Sequence, residues 1–383
     1  MFESLRPMIK LIKNKMFDQA KVKESLDLLS WDPGQIEDFH RTIGNQETPL
    51  VRLSGLAEHL GVGQILLKDE SPRFGLNAFK ALGASYAMQM QIEKNPQIEI
   101  FCTATDGNHG RAVAWMARKL DRKAMIYMPQ GTVPQRVRSI EKEGAEVIVI
   151  DQSYDVAVKM ASDHVDEENQ SSGNIVFSLI QDTAWDGYEE VPLDIMKGYW
   201  TQAHEITRQI KKEKIDVVFL QSGVGSWAAS FVSYILKYWS EPPLCIGVEP
   251  YSANCLFESI KTGQRSSVVS DQTTIMAGLN CGSVSTLAWD ILKKGLVGSI
   301  SISDELSKTA MRSLAFPVKG DPVIISGESG ASGLGALVGL CKISRYKKFK
   351  KDISLNKKST ILVINTEGDT DPMNYQRIIS DAG

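Results

Sequence analysis

Lys80 is the only charged residue between Arg73 and Glu93, in a segment otherwise built from Phe79, Ala81, Leu82, Ala84, Ala87 and similar side chains. Desolvation disfavours an ammonium, so such a lysine is expected to have a lowered pKa and to offer a neutral amine. Schiff-base chemistry needs that amine as its nucleophile. The plainer reading is a lysine whose stem covers apolar surface while its head stays in water. Asn77 is expected to cap a helix that starts near Ala78.

Three other segments carry groups suited to binding a charged small molecule. In TATDGNHGR (103–111), Gly107 and Gly110 leave the backbone bare just before a helical pattern. A helix N-terminus there suits a substrate carboxylate, with Asp106 and Asn108 beside it. The simpler account makes Asp106 an N-cap. In QSGVGSWAA (221–229), Ser222, Gly223, Val224, Gly225 and Ser226 form a short loop after an apolar strand. Backbone and hydroxyl donors in such a loop fit one phosphate at a helix N-terminus. Glu249 follows at a spacing that also allows the ribose-binding acid of a dinucleotide fold. A lone Gly-x-Gly does not separate these two readings.

The last segment combines SGESGASGLGAL (326–337) with INTEGDTD (364–371). The glycines allow close backbone approach, either to a flat ligand or to a packed helix. Thr366 ends an apolar strand, where its hydroxyl could meet a ring nitrogen. Glu367, Asp369 and Asp371 read as turn residues rather than as a cation site. No His pair has the spacing of a zinc site, so no metal is expected.

The elements that must position these groups follow an α/β pattern. Strands are expected at 98–105, 124–128, 146–150, 175–179, 217–220, 246–249 and 360–365. Helices are expected at 111–120, 134–143, 153–168 and 227–238. Alternation of this kind gives parallel sheets with ligands at the carboxyl ends of strands. The basic stretch 345–358 reads as a solvated loop.

The chain has 383 residues, 43% hydrophobic and 23% charged, which places it among globular proteins and excludes a disordered one. Its net charge of −3 excludes a basic field for nucleic acid or an anionic membrane. No apolar run approaches the roughly 20 residues of a membrane span, and the N-terminus lacks the apolar core of a secretory signal. Five Cys without a CxxC pair point to a reducing cytoplasm. Cys255 and Cys281 are accordingly expected as thiols, with a disulfide across their loop as the alternative.

Read together, one apolar lysine, a phosphate loop, a carboxylate loop and a strand-end hydroxyl suggest pyridoxal phosphate. The motifs KDESPRFGLNAFK (68–80), TDGNHGRAVAW (105–115), QDTAWDGY (181–188), TIMAGLNCG (274–282), ISGESGA (325–331) and TEGDTD (366–371) carry a resemblance. With TPLVRLSGLAEHLGVGQILLKDES (48–71), they are similar to the fold-type II pyridoxal-phosphate enzymes, among which are threonine dehydratases, cysteine synthases and the tryptophan synthase β chain. Within that group the chain resembles the diaminopropionate ammonia-lyase family, from about residue 48 to 371.

The resemblance implies two α/β domains with the active site between them. Residues 1–83 and 199–383 would form the larger, cofactor-binding domain and 84–198 a smaller inserted one. Lys80 would be the Schiff-base lysine. Ser222, Gly223, Val224, Gly225 and Ser226 would hold the phosphate, Asn108 the ring hydroxyl and Thr366 the pyridine nitrogen. Thr105, Asp106, Gly107 and His109 would meet the substrate, and Asp106 and Asp182 would join Lys80 in catalysis. The implied reaction is α,β-elimination of 2,3-diaminopropionate to pyruvate and two ammonia, in a cytoplasmic homodimer. Dehydratases of serine and threonine usually carry Ser where Asp106 stands, which points to a substrate with a second amine. A serine or threonine dehydratase, or another β-eliminating lyase, is the nearer alternative, and a nucleotide-binding module the more distant one. Trp227 departs from the small residue expected after the phosphate loop.

Overall fold

The structure is a computed structural model describing residues 8–26, 31–105, 107–211, 213–269 and 273–381, so Asp106 lies outside the described residues. Its strands are β1 (Ile9–Lys13), β2 (Leu50–Arg52), β3 (Gln64–Asp69), β4 (Ile100–Ala104), β5 (Lys123–Met128) and β6 (Glu146–Val149). They continue as β7 (Phe177–Leu179), β8 (Val217–Gln221), β9 (Leu244–Pro250), β10 (Leu296–Ile302) and β11 (Thr360–Asn365).

Two sheets result. A seven-stranded sheet has the order β1-β10-β9-β8-β11-β3-β2, and a four-stranded sheet the order β6-β5-β4-β7. The inner strands of the larger sheet pair in parallel, while β1 and β2 close its edges antiparallel. The smaller sheet is parallel throughout.

Runs such as VVFLQ and TILVIN become central strands because both of their faces are covered. Val218, Leu220, Leu362 and Ile364 point into one core, and Val217, Phe219, Ile361 and Val363 into another. Burial of each such side chain contributes about 1.5–3 kcal/mol. A third core holds the helix Tyr154–Ser172 against the smaller sheet through Ala157, Ala161 and Val165.

Two local expectations are corrected. The helix after Lys80 runs from Ala81 to Lys94, and Lys80 stands at its leading edge rather than within it. Asn77 is a turn residue with φ +57, not a cap. Its carbonyl accepts from the Gly368 N–H at 2.9 Å and its side-chain amide donates to Asp369 at 3.3 Å. The basic stretch is not a loop, because Tyr346, Phe349, Ile353 and Leu355 are buried and fold it into the short helix Lys347–Asp352. The lysines of that helix face outward because the alternative is an unpaired buried charge.

Candidate functional site

Five strand ends converge on one cleft. The chain leaving β3 leads to Lys80, β4 leads to the loop 105–110, β7 to Asp182, β8 to Ser222–Ser226 and β11 to Thr366. The cleft opens to solvent, spans about 870 Å³ of free space with that solvent included, and is lined by Lys80, Asp182 and Thr366 with the two loops. Carboxyl ends of parallel strands are where an α/β fold leaves its backbone free to meet a ligand.

Lys80 Nζ donates to Asp182 Oδ2 at 2.5 Å, and both side chains are largely buried. Burial opposes the Lys80 ammonium, but the Asp182 carboxylate outweighs it, with the Tyr199 hydroxyl and the Cys281 thiol contributing. The Lys80 pKa therefore rises, against the lowered value read from the apolar sequence. Asp182 lies 102 residues away along the chain, and nothing local to Lys80 announces it. Burial pushes the Asp182 carboxyl up, yet Lys80 more than offsets this and holds it at about 2.

The loop Ser222–Ser226 turns sharply because Gly225 has φ +90, a conformation that disfavours side chains. It delivers the N-terminus of the helix Ser226–Tyr238, whose first N–H groups have no intrahelical acceptor. Gly223 fits closely, since a Cβ there would stand 3.0 Å from both Cys281 Sγ and the Gly278 carbonyl oxygen. Ser226 Oγ donates to the Asp182 carbonyl at 2.6 Å, tying this loop to the segment that carries the Lys80 partner. Trp227 finds room by donating its Nε1 hydrogen to Gln202 at 2.8 Å and packing on Phe79 at 5.5 Å.

Thr366 Oγ1 accepts from Gln221 Nε2 at 3.1 Å, so the hydroxyl proton can point elsewhere, as a pyridine nitrogen requires. Gln221 also donates to the Ile364 carbonyl at 2.8 Å. Asn108 donates to Glu367 Oε2 at 2.5 Å, and Glu367 Oε1 accepts from the Ser329 N–H at 2.9 Å. His109 Nε2 bonds the Ile180 carbonyl at 2.7 Å, and burial lowers its pKa, which leaves the ring neutral.

The residues fit pyridoxal phosphate. An anion cradle, a lysine and a neutral ring-nitrogen partner share one cleft with a carboxylate at the lysine. They do not fit a dinucleotide, because Glu249 is fully buried and accepts from the Leu256 and Phe257 N–H groups at 2.8 and 2.7 Å. Its carboxylate is thus unavailable to a ribose.

Of the residues read from sequence, Lys80, Thr105, Gly107, Asn108, His109, Asp182, Ser222, Gly223, Val224, Gly225, Ser226 and Thr366 all line this cleft. Asp369 and Asp371 are engaged in a turn and in capping the helix Pro372–Ser380. The glycines of 326–337 mainly allow close packing, with Gly330 against Asn365 and Gly335 against Leu306. Both Cys255 and Cys281 are free thiols. Sequence reasoning missed Gln221, Tyr199 and Arg136, and it read Glu367 as a turn residue. The only signal for Gln221 was a polar residue ending an otherwise apolar strand.

Comparison with known proteins agrees with this geometry. A family model described as pyridoxal-phosphate dependent enzyme matches residues 42–367. The chain is 41% identical to a diaminopropionate ammonia-lyase of Salmonella typhimurium, over 93% of this chain and 94% of that one. It is 39% identical to the diaminopropionate ammonia-lyase of Escherichia coli K12, over 97% of this chain and 96% of that one. The crystal structure of the Escherichia coli enzyme with an aminoacrylate-PLP azomethine reaction intermediate superposes with a TM-score of 0.87, over 97% of this chain and 96% of that one. A chloroplast threonine dehydratase of Solanum lycopersicum matches less, at 32% identity over 57% of this chain and 33% of its own. The chain belongs to the pyridoxal-phosphate-dependent enzyme family, in the branch formed with the diaminopropionate ammonia-lyases.

Proposed function

We propose that this protein eliminates ammonia from 2,3-diaminopropionate, consuming one water and giving pyruvate and two ammonia. The observation that carries the proposal is the Lys80–Asp182 pair, set in one cleft with the phosphate cradle and the Thr366 hydroxyl. Pyridoxal phosphate, bound through the Lys80 amine, supplies the electron sink for the pair left when the substrate loses its Cα proton. Backbone donors of Gly223 to Ser226 would hold its phosphate, Asn108 its ring hydroxyl and Thr366 its ring nitrogen.

Lys80 is the base for the Cα proton on its own face of the substrate. Asp182 stays ionised at neutral pH, so its task is to hold an ammonium rather than to donate a proton. When the substrate β-ammonium takes the Asp182 carboxylate, Lys80 loses the partner that keeps it charged and can act as a base. The β-nitrogen then departs as neutral ammonia, taking the electrons of its bond to Cβ. Asp106, between Thr105 and Gly107, is the proposed base on the opposite face, which would let the D-isomer react. Asp106→Asn should therefore suppress turnover of the D-isomer much more than of the L-isomer.

The two sheets divide these tasks. Residues 84–198, around the four-stranded sheet, would form an inserted domain bringing Thr105–His109 and Asp182. Residues 1–83 and 199–383 would bring Lys80, the phosphate loop and Thr366, so that closure completes the site. A homodimer built with a second copy is part of the same proposal. No helix among the described residues is long and apolar enough to cross a membrane, and the reduced thiols suit the cytoplasm.

The test is the near-visible spectrum of the holoenzyme before and after 2,3-diaminopropionate, together with pyruvate release. Turnover of serine or threonine with diaminopropionate inert would move the function to the dehydratase alternative. Light scattering on the same sample reads the homodimer.

A further inference from the structure

Gln221 is the last residue of β8, and its side chain reaches across to β11, the strand that leads to Thr366. It is buried, and it lines the cleft beside Thr366. Four oxygens surround its Nε2. They are the Ile364 carbonyl at 2.8 Å, Thr366 Oγ1 at 3.1 Å, and the Gly330 and Ser329 carbonyls at 3.3 and 3.4 Å. Three of the four are carbonyls and can only accept, so this end of the amide must be the nitrogen. Its two hydrogens go to the two nearest oxygens, those of Ile364 and Thr366. Gln221 Oε1 has no hydrogen-bond partner among the described residues. The donors alone therefore fix the side chain, at the cost of a bare buried acceptor.

This arrangement removes a choice from Thr366. A free hydroxyl can donate to a neutral ring nitrogen or accept from a protonated one, because it carries one hydrogen and two lone pairs. One Gln221 hydrogen occupies a lone pair of Thr366, and the other supplies the Ile364 carbonyl. The Thr366 proton is left for the cleft. A nitrogen that accepts a hydrogen bond is stabilised in its neutral form, so its proton affinity falls. Without the amide, the Ile364 carbonyl and the Thr366 hydroxyl, which share that one nitrogen, would be free to bond each other. Thr366 would then turn a lone pair towards the ring nitrogen and favour its protonated form.

We propose that Gln221 is a positioning residue that holds the Thr366 hydroxyl as a donor to the ring nitrogen of pyridoxal phosphate and so keeps that nitrogen unprotonated. The proposal rests on the seat given to Thr366 in the function proposed above. It adds what decides the direction of that contact, and with it how strongly the ring draws electrons.

The experiment loads wild type and Gln221→Met with pyridoxal phosphate labelled at its ring nitrogen and follows the nitrogen resonance against pH. The wild type should keep the position of a neutral ring across about pH 6–9. In Gln221→Met the protonation midpoint should rise by at least about one pH unit, a tenfold gain in proton affinity. At about pH 9, where the neutral ring has lost its donor, the cofactor should bind roughly 10-fold more weakly. In a Thr366→Val background the same substitution should change either reading less than about twofold, because Gln221 acts through the hydroxyl. Gln221→Glu is the second variant should Gln221→Met fail to fold. Burial among carbonyls holds its carboxyl protonated, and one O–H in place of two N–H should give an intermediate midpoint. An unmoved resonance in Gln221→Met would overturn the proposal. So would equal shifts in both backgrounds, which mark a residue that only shapes the cleft. If Thr366→Val alone left resonance and affinity unchanged, the seat given to Thr366 would fall and this inference with it. Neither reading uses diaminopropionate, so failure of the proposed substrate would leave the result standing.

Discussion

Lys68 and Lys80 lie on one segment and both pair with a carboxylate, but only one of them can change partners. Lys68 is fully buried, and its ammonium donates to the Thr48 carbonyl at 2.8 Å, Glu205 at 2.8 Å and Gln209 at 3.0 Å. Its three protons are all engaged. Beside it, Arg73 donates to Glu70 at 2.7 and 2.8 Å and to Glu205 at 2.7 and 2.8 Å, completing a buried quartet of two cations and two carboxylates. Lys80 has one carboxylate, in a cleft that a ligand can enter. Saturation of the ammonium, rather than the presence of an ion pair, separates a structural lysine from a reactive one. The quartet holds the chain between β3 and Lys80, where Phe74 and Asn77 adopt φ of +53 and +57.

The largest expected effect is at Lys80. Lys80→Ala should reduce turnover by more than about 10⁴-fold, beyond the usual share of a general base, because cofactor attachment is lost as well. Ala suits the leading turn of a helix, so the fold should persist. Borohydride reduction of the wild type should fix the cofactor on Lys80 in a peptide map, and recovery at Lys68 would erase the distinction. Asp182→Asn comes next, with a loss of roughly 10²–10⁴-fold on both isomers of diaminopropionate. It should also lower the Lys80 pKa, because the anion that raises it is gone. Uptake of pyridoxal phosphate by the apo-enzyme should then reach half its maximal rate at a lower pH than in the wild type. An unmoved midpoint would mean that Asp182 does not control the lysine.

Glu205→Gln tests the other member of the comparison. Burial pushes the Glu205 carboxyl up, but Arg73 and Lys68 hold it at about 2. Removing this charge strands buried cations, so urea unfolding should show a loss of about 3–5 kcal/mol. Asp182→Asn should cost less than that, since Lys80 can give up its proton or meet water in the cleft. The reverse order would break the argument that the quartet is structural and the cleft pair is not.

Much of this was legible in the sequence, and its limits are physical. The strands 217–220, 246–249 and 360–365 announce themselves as β-branched runs, and β11 begins and ends where expected. The chain ends were harder to read. In β10, LVGSISI carries a glycine and two serines that only the finished sheet buries. The edge strands β1 and β2 are short and half-exposed, so their pattern is weak. At the site, the residue types at Lys80, Ser222–Ser226 and Thr366 were enough to point to pyridoxal phosphate, the cofactor of the family. The sign of the Lys80 pKa did not show, because it depends on a carboxylate brought from the other sheet. Spacing left a ribose-binding role open for Glu249 for the same reason, since its burial is invisible at that level.

Glu249 supplies the third carboxylate of the comparison and the one effect that shows only as pH is varied. Asp182 has one cation and Glu205 has two, whereas Glu249 has none and accepts from two N–H groups that open the helix Cys255–Thr262 and from the Cys255 thiol. Burial pushes its pKa up to about 8, and the two N–H groups offset only part of that. An ordinary glutamate in the unfolded chain titrates near 4.3. The folded value is therefore the higher one, so the folded chain retains a proton that the unfolded chain releases. Its contribution to stability is complete below the unfolded pKa and is lost as pH rises through the folded one. Between about pH 4.3 and 8 the wild type should lose stability through this group by up to about 1.4 kcal/mol per pH unit. Glu249→Gln cannot titrate, and its amide oxygen can still accept one of the two N–H bonds. It should start less stable near pH 5 and close the gap as pH rises to 8, read as urea midpoints at four pH values. Midpoints that stay parallel would show that Glu249 is already ionised in the folded protein, and that two helix N–H groups can do the work of a cation.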